Sequence, residues 1–220
     1  MTEPAPGGGV RAVVFDLDGT LIDSVASLHR ACLAMMAARD LPPPDQDTVR
    51  GFVGEGAAVL VARCLRWAGA SEDPAALADF LAIYDADPVT GTTALPGAHA
   101  TLRTLTEAGV ALGLCTNKPA APTRTILSAL GLGPFAAVAG GDTLPVRKPD
   151  PAPLRHVIER LGAQPGTAVY VGDSRVDWRT AAAAGVPYIH LRGGYEIEDP
   201  PVTVRQVLDG LAELPATLGH

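Results

Sequence analysis

The stretch Val13-Val14-Phe15-Asp16-Leu17-Asp18-Gly19-Thr20-Leu21 joins a short apolar run to two aspartates that are separated by one residue. Residues i and i+2 of an extended segment point to the same side. The carboxylates of Asp16 and Asp18 are therefore predicted to lie side by side at the C-terminal end of a strand, where open parallel sheets bind ligands. Two carboxylates this close repel each other unless a cation or a shared proton lies between them. Taken alone, the pair fits equally well in an ordinary polar turn.

Apolar, strand-like runs recur along the rest of the chain. Stretches with helical periodicity join most of them, and this alternation predicts an α/β fold with a parallel sheet that is covered on both faces. The predicted strands cover residues 10–15, 111–115, 136–139, 168–171 and 187–191.

Between Asp23 and Thr93 the pattern changes to helices only, which indicates a helical insert after the first strand. Its predicted helices cover residues 24–39, 57–67 and 74–84. We expect hinges at residues 23–24 and 87–96. The predicted organisation is a disordered lead-in at residues 1–9, an α/β core at residues 10–22 and 94–220, and a small helical cap domain at residues 23–93.

Composition narrows the classes of function. The chain has 220 residues, enough for one ordinary domain plus an insert. Its formal net charge of -7 argues against sequence-independent binding of nucleic acid, because such binding requires a basic protein surface. No run approaches the roughly 18 apolar residues that a membrane span needs. We therefore expect a protein that binds neither nucleic acid nor membrane.

The N-terminal residues and the cysteines indicate the cellular compartment of the protein. Residues 1–9 lack the basic and apolar regions of a signal peptide. The three cysteines are Cys32, Cys64 and Cys115, an odd number without a Cys-x-x-Cys motif, which favours reduced thiols over a disulfide framework or a zinc site. The expected location is the cytoplasm.

Three further motifs are predicted to lie in loops at the same sheet edge as the aspartate pair. They are Leu114-Cys115-Thr116-Asn117-Lys118-Pro119, Arg147-Lys148-Pro149-Asp150-Pro151 and Val169-Tyr170-Val171-Gly172-Asp173-Ser174-Arg175-Val176-Asp177. In isolation, each polar residue in them has an ordinary explanation: Lys148 as a solvated charge at a helix start, Thr116 as a helix cap, and the aspartates as loop or cap acids.

In this order and spacing the four motifs resemble those of the haloacid dehalogenase superfamily of phosphotransferases, and the resemblance covers the chain after Val10. It implies that Asp16 is the nucleophile, which takes up the phosphoryl group as an aspartyl phosphate, and that Asp18 is the general acid and base. A carboxylate that attacks a phosphate dianion must overcome repulsion between like charges. A metal ion and an ammonium group supply the necessary positive charge.

The resemblance also assigns the supporting groups. Thr116 and Asn117 would bind the phosphoryl group, and Lys148 would neutralise it. Asp16, Asp173 and the backbone carbonyl of Asp18 would hold Mg²⁺, although Mn²⁺ would satisfy the same oxygen ligands. Asp177 and Ser174 would be supporting residues, and Asp177 would either assist the metal indirectly or orient Lys148.

Within this superfamily, several segments are similar to those of bacterial phosphoglycolate phosphatases: residues 53–57, 63–68, 140–154 and 193–195. The backbone of Gly54, Glu55 and Gly56 can approach a small carboxylate closely, or it can simply begin a helix. Arg63 or Arg50 can pair with a substrate carboxylate, or either can be a surface charge.

The predicted activity is Mg²⁺-dependent hydrolysis of a small phosphomonoester, 2-phosphoglycolate or a compound of similar size. The alternatives are a sugar-phosphate mutase or a pyrophosphatase of the same fold, and a catalytically idle phosphate-binding module. A halide-displacing dehalogenase is disfavoured, since Asp18 and the metal-binding acids have no evident role in that chemistry. The expected partner is a small phosphorylated metabolite, and the expected assembly is a monomer or a homodimer.

Overall fold

A computed structural model describes residues 9–195, 204 and 206–220 of the chain. Its main sheet has six parallel strands in the order β5-β4-β1-β6-β7-β8. The strands are β1 (Ala12–Phe15), β4 (Ala111–Cys115), β5 (Ala137–Ala139), β6 (Ala168–Gly172), β7 (Tyr188–Leu191) and β8 (Gln206–Leu208). The predicted disordered lead-in, apart from Gly9, lies outside the described residues.

Strand β1 lies inside the sheet between β4 and β6, and its four residues are fully buried. Val13 and Phe15 face one apolar cluster, whereas Ala12 and Val14 face another, as the two-residue period of a strand requires. This burial on both faces explains why the strand is a continuous apolar run.

Helices cover both faces of the sheet. Leucines and isoleucines of α5 (Ala98–Glu107) and α6 (Ala120–Leu130) pack on one face. Residues of α7 (Ala152–Arg160) and α8 (Arg175–Ala184) pack on the other. A short helix, α9 (Leu214–Thr217), follows the last described strand. The predicted parallel α/β core is therefore confirmed.

A second helical unit follows β1 along the chain. It contains α1 (Val25–Ala37), α2 (Gln46–Arg50), α3 (Ala57–Trp67) and α4 (Pro74–Ala86). Its buried side chains form an apolar cluster of their own, which includes Met35, Leu60 and Phe80. The short strands β2 (Ile22–Asp23) and β3 (Thr93–Ala94) pair antiparallel where this unit joins the core, so both connections run side by side. The exact domain boundaries remain a prediction.

The predicted strands and long helices are all present, with ends shifted by one or two residues. Four short elements were not predicted: α2, α9, the β2–β3 pair and β8. Each spans two to five residues, too short for a hydrophobic period to be read. Among the described residues, no helix is both long and apolar enough to cross a membrane.

Candidate active site

The four motifs meet at the C-terminal edge of the sheet. Asp16 follows β1, Thr116 follows β4 and Asp173 follows β6, while Lys148 lies in the loop between β5 and α7. All four side chains are buried, with 2–6% of each residue exposed. Because parallel strands end at the same edge, residues more than 150 positions apart form one polar cluster.

Lys148 is the central cation of this cluster. Its Nζ lies 2.8 Å from Oδ1 of Asp16, 2.7 Å from Oδ1 of Asp177 and 2.9 Å from the hydroxyl oxygen of Tyr170. Burial by itself would lower the pKa of Lys148, but the charges of Asp16 and Asp177 outweigh it and raise the pKa above its usual range. Lys148 is therefore a permanent positive charge beside the predicted nucleophile.

Tyr170 is a member of the cluster that the sequence analysis did not identify. Its ring lies within the apolar cluster on one face of the sheet, while its hydroxyl lies 2.7 Å from Oδ1 of Asp177 and 3.0 Å from the carbonyl oxygen of Cys115. In the sequence, Tyr170 is an aromatic residue within a strand, and core packing suffices to explain it. Only the contacts of its hydroxyl distinguish it.

Asp177 connects the cluster to helix α8. Its Oδ2 accepts hydrogen bonds from the backbone N–H and the hydroxyl of Ser174, which caps the helix. Its Oδ1 accepts from Lys148 and Tyr170. Both oxygens are thus engaged by the protein. Of the two roles expected for Asp177, the geometry favours orientation of Lys148.

Asp173 is held by two loops. Its Oδ1 accepts a hydrogen bond from the hydroxyl of Thr20, and its Oδ2 accepts one from the backbone N–H of Tyr195, both at 2.8 Å. A Cβ on Gly19 or on Gly194 would lie 2.2 Å from Oδ2 of Asp173. Gly19 also has a φ of +82°, which disfavours other residues. Both glycines are therefore needed for the position of this carboxylate.

Asp16, Asp173 and Asp177 each offer a carboxylate oxygen within 4.8 Å of the others. Burial and the charge of Asp177 raise the pKa of Asp16 to about 7, against the opposing effect of Lys148. Burial, Asp177 and Asp16 likewise raise the pKa of Asp173. Three carboxylates face one ammonium, so the cluster is short of positive charge. Buried carboxylate oxygens with this deficit fit a hard divalent cation.

Asp18 is placed beside a second buried lysine. Its Oδ1 accepts a hydrogen bond from the hydroxyl of Ser24 at 2.5 Å, and its Oδ2 lies 3.1 Å from Nζ of Lys118. That Nζ also donates to the hydroxyl of Tyr84, on α4 of the helical unit, at 2.8 Å. No role for Lys118 was predicted from the sequence. A signal was available: Lys118 and Lys148 are the chain's two lysines, and all its other permanent cations are arginines.

Asn117 links the two parts of the chain. Its Nδ2 donates to the carbonyl oxygen of Gly54 at 3.1 Å and to that of Lys148 at 3.0 Å. The loop of Gly54, Glu55 and Gly56 therefore lies beside Asn117, and Gly56 also begins helix α3. Arg63 donates to the carboxylate of Glu55 and to the carbonyl oxygen of Phe52. The role of this loop and of Arg63 in binding substrate remains a prediction.

Two cavities open from Asp16 and Asp18. The smaller has a volume of ≈ 40 Å³ and extends past Thr116, Asn117 and Lys118 to apolar residues of α1, α3 and α4. The larger has a volume of ≈ 450 Å³, and Glu55, Arg63, Asp173, Arg175 and Tyr195 are among its lining residues. The site thus has one narrow, mainly apolar arm and one wide arm whose lining includes charged side chains.

Comparisons with known proteins agree with this geometry. A family model for haloacid dehalogenase-like hydrolases matches residues 10–185. The phosphoglycolate phosphatase of Rhodospirillum rubrum is 46% identical to this chain over an alignment of 221 positions. The alignment spans 95% of this chain and 91% of that protein.

Solved structures give the same picture. A crystal structure described as a predicted phosphoglycolate phosphatase from Haemophilus somnus superposes with a TM-score of 0.87 at 28% identity, covering 94% of this chain and 97% of that one. The structure of CbbY from Rhodobacter sphaeroides in complex with phosphate gives a TM-score of 0.82 at 25% identity, covering 96% of this chain and 100% of that one.

Proposed function

Because the chain belongs to the haloacid dehalogenase-like hydrolase family, we propose that it hydrolyses a small phosphomonoester, 2-phosphoglycolate, to glycolate and phosphate. The observation that carries this proposal is the buried ammonium of Lys148, 2.8 Å from the carboxylate of Asp16. A carboxylate nucleophile must approach a phosphate dianion, and a fixed positive charge at that point reduces the repulsion.

In the first half-reaction, a carboxylate oxygen of Asp16 forms a bond to phosphorus while the bond from phosphorus to the leaving oxygen breaks. Asp18 gives its proton to that oxygen, so glycolate leaves as a neutral alcohol at its hydroxyl end. Lys148 neutralises charge on the phosphoryl group, and Thr116 is a hydrogen-bonding partner for it. The product of this step is an aspartyl phosphate on Asp16.

In the second half-reaction, Asp18 takes a proton from a water molecule whose oxygen attacks phosphorus. The bond between phosphorus and Asp16 breaks, inorganic phosphate is released, and both aspartates return to their starting states. Asp18 serves in both halves because its carboxyl group is fixed by Ser24 and Lys118. Covalent capture divides one difficult displacement into two easier ones.

We propose that Asp16 and Asp173 hold Mg²⁺, while Asp177 and Ser174 orient Lys148. The deficit of positive charge among the buried carboxylates supports this assignment. When bound, the cation would balance the charge of the carboxylates and of the phosphoryl oxygens.

The relatives named phosphoglycolate phosphatase support the choice of substrate. The small volume of the smaller cavity supports a small leaving group.

The three free, buried cysteines support a cytoplasmic location. We keep the monomer or homodimer as a prediction, which size-exclusion chromatography with light scattering can test.

The test is phosphate release from 2-phosphoglycolate, pyrophosphate, glucose phosphates and nucleoside monophosphates, each with Mg²⁺ and with excess chelator. We expect a metal-dependent preference of about 100-fold in kcat/KM for 2-phosphoglycolate, which corresponds to about 2.7 kcal/mol. A flat profile would contradict the substrate. Transfer of phosphate between positions of glucose phosphates would point to the mutase instead, and no turnover of any compound would point to the idle module.

A further inference from the structure

We propose that Lys118, together with Tyr84, binds the carboxylate of the substrate's leaving group and so selects 2-phosphoglycolate over uncharged phosphate esters of the same size. This inference rests on the proposed function and adds to it the residue that reads the substrate. Lys118 lies beside the predicted general acid, and Tyr84 belongs to the helical unit. The pair would therefore join the two parts of the chain around one substrate group.

The position of Lys118 relative to Asp18 is the first argument. Asp18 protonates the leaving oxygen, so the leaving group must lie on the side of Asp18 away from the phosphoryl group. Nζ of Lys118 lies 3.1 Å from Oδ2 of Asp18. In 2-phosphoglycolate, one methylene separates the leaving oxygen from the carboxylate. A cation one hydrogen-bond length from the acid is thus at the right distance for that carboxylate.

The size of the smaller cavity is the second argument. A water-sized group needs roughly 10–15 Å³ of such volume, so ≈ 40 Å³ holds about three. Beyond its ester oxygen, the leaving group of 2-phosphoglycolate consists of a methylene and a carboxylate, which is of this size. A sugar is several times larger. Much of its lining is apolar: Leu28, Leu60, Phe80 and Leu81.

The hydrogen-bonding capacity of Lys118 is the third argument. A lysine ammonium has three N–H donors, and the described residues account for two of them, through Asp18 and the hydroxyl of Tyr84. The third donor has no partner in the part of the chain that the structure describes. The side chain is buried, with its Nζ 4.8 Å from the ring centre of Tyr84. The hydroxyl of Tyr84, which accepts from Lys118, can in turn donate to a carboxylate.

Arg63 and Arg50, the two arginines that the sequence suggested for this role, are less suitable. Arg63 already forms an ion pair with Glu55. Arg50 lies 3.5 Å from a carboxylate oxygen of Asp23 and above the ring of Tyr195. Both side chains are also about one-third exposed, so water would weaken their attraction for an anion. In the smaller cavity, Lys118 is the cation among the lining residues.

The test compares 2-phosphoglycolate with ethyl phosphate, which has the same phosphoryl group and a leaving group of similar size without the carboxylate. The variants are Lys118→Met, Tyr84→Phe and Arg63→Met, with the exposed Arg103→Met as the matched control. We expect Lys118→Met to lower kcat/KM at least about 100-fold for 2-phosphoglycolate and only about 10-fold for ethyl phosphate. The smaller loss is shared by both substrates, because Asp18 keeps Ser24 but loses Lys118. Tyr84→Phe should reduce the ratio between the two substrates about threefold to tenfold, and Arg103→Met should leave it unchanged.

The substrate ratio separates recognition of the carboxylate from an effect through Asp18, because a disturbed Asp18 slows both substrates alike. Equal losses for both substrates in Lys118→Met would overturn the proposal, as would a lower ratio in Arg63→Met alone. If Lys118→Met does not fold, Tyr84→Phe decides, since it removes only a hydroxyl group; an unchanged ratio there contradicts the proposal. A wild-type enzyme without preference for 2-phosphoglycolate would refute the proposed function as well. The two failures are therefore distinguishable.

Discussion

The hydroxyl oxygen of Tyr170 lies 2.9 Å from Nζ of Lys148, at the bottom of the buried polar cluster. The lysine thereby has a third partner besides Asp16 and Asp177. The ammonium thus has three oxygen atoms within 2.9 Å, and its position is determined from three directions. A buried charge held in this way is rigid, because every alternative position weakens one of the three contacts.

We predict that Tyr170→Phe lowers kcat for 2-phosphoglycolate about tenfold and changes KM little, since Lys148 loses one of the contacts that orient it. The free energy of unfolding should fall by about 1–2 kcal/mol, because a buried hydrogen-bonding group loses its partner. Tyr188→Phe is the control. Tyr188 lies on the adjacent strand β7, and its hydroxyl contacts the backbone carbonyl of Ser174 and the ring of His190 rather than Lys148. Equal effects of the two variants on kcat would contradict a positioning role for Tyr170.

We predict that Asp16→Asn abolishes turnover and leaves the fold intact. In excess chelator it should also change how stability depends on pH. Because the pKa of Asp16 in the folded protein is about 7, the folded state holds a proton that the unfolded state has lost. Wild-type stability should therefore fall as the pH rises from about 5 to about 7, by up to about 1.4 kcal/mol per pH unit from this group.

The measurement for Asp16→Asn is urea unfolding at about pH 5 and about pH 8, together with an assay of phosphate release. The variant cannot ionise at this position, so its stability should fall less than that of the wild type over this range. Retained activity would contradict the nucleophilic role of Asp16. Parallel pH profiles of stability would contradict its raised pKa.

We predict that Mg²⁺ stabilises the wild-type protein. At about 100 times the Kd, the expected gain is about 2.7 kcal/mol, or roughly 5–10 °C in Tm for a chain of this size. Asp173→Asn should lose most of this gain, since one of the two proposed carboxylate ligands is removed. Differential scanning fluorimetry with Mg²⁺ and with chelator measures both effects. An undiminished shift in Asp173→Asn would place the cation elsewhere.

We predict that Gly19→Ala lowers activity at least about 100-fold and weakens stabilisation by Mg²⁺, because the new methyl group would collide with the carboxylate of Asp173. Gly109→Ala is the matched control. Gly109 has a similar φ of +77°, and a Cβ there meets nothing within 4 Å. Both variants carry the backbone strain of about 1 kcal/mol, so only the collision differs between them. Equal activities of Gly19→Ala and Gly109→Ala would show that activity tolerates a displaced Asp173 carboxylate.

Much of the fold could be read from local pattern. The apolar strands around Val14, Leu114 and Val171 are confirmed because burial on both faces demands continuous apolar runs. The long helices of the insert are confirmed for a similar reason, since each has one buried face. Strand β8 and helix α2 were missed because such short segments form through their neighbours and have no detectable period of their own.

The meeting of the four motifs could also be predicted from the sequence, whereas the roles of their residues remain a prediction. The order and spacing of the motifs predicted one shared sheet edge for Asp16, Thr116, Lys148 and Asp173. Each of these residues follows or lies near the end of a parallel strand. The hydroxyls of Tyr84 and Tyr170 had no such signal. Each tyrosine occupies a position where an aromatic residue belongs for packing alone, and its polar contact comes from a distant part of the chain.

The sequence by itself determined the sheet, the helical insert and the chemistry of the loops, because hydrophobic periods and motif spacing are local properties of the chain. Only the tertiary structure decided that Lys118 lies beside Asp18, and that Asp177 and Tyr170 hold Lys148 in place. The sequence alone allows many pairings between two lysines and several carboxylates. Burial selects one arrangement, since every unpaired charge inside the protein costs several kcal/mol.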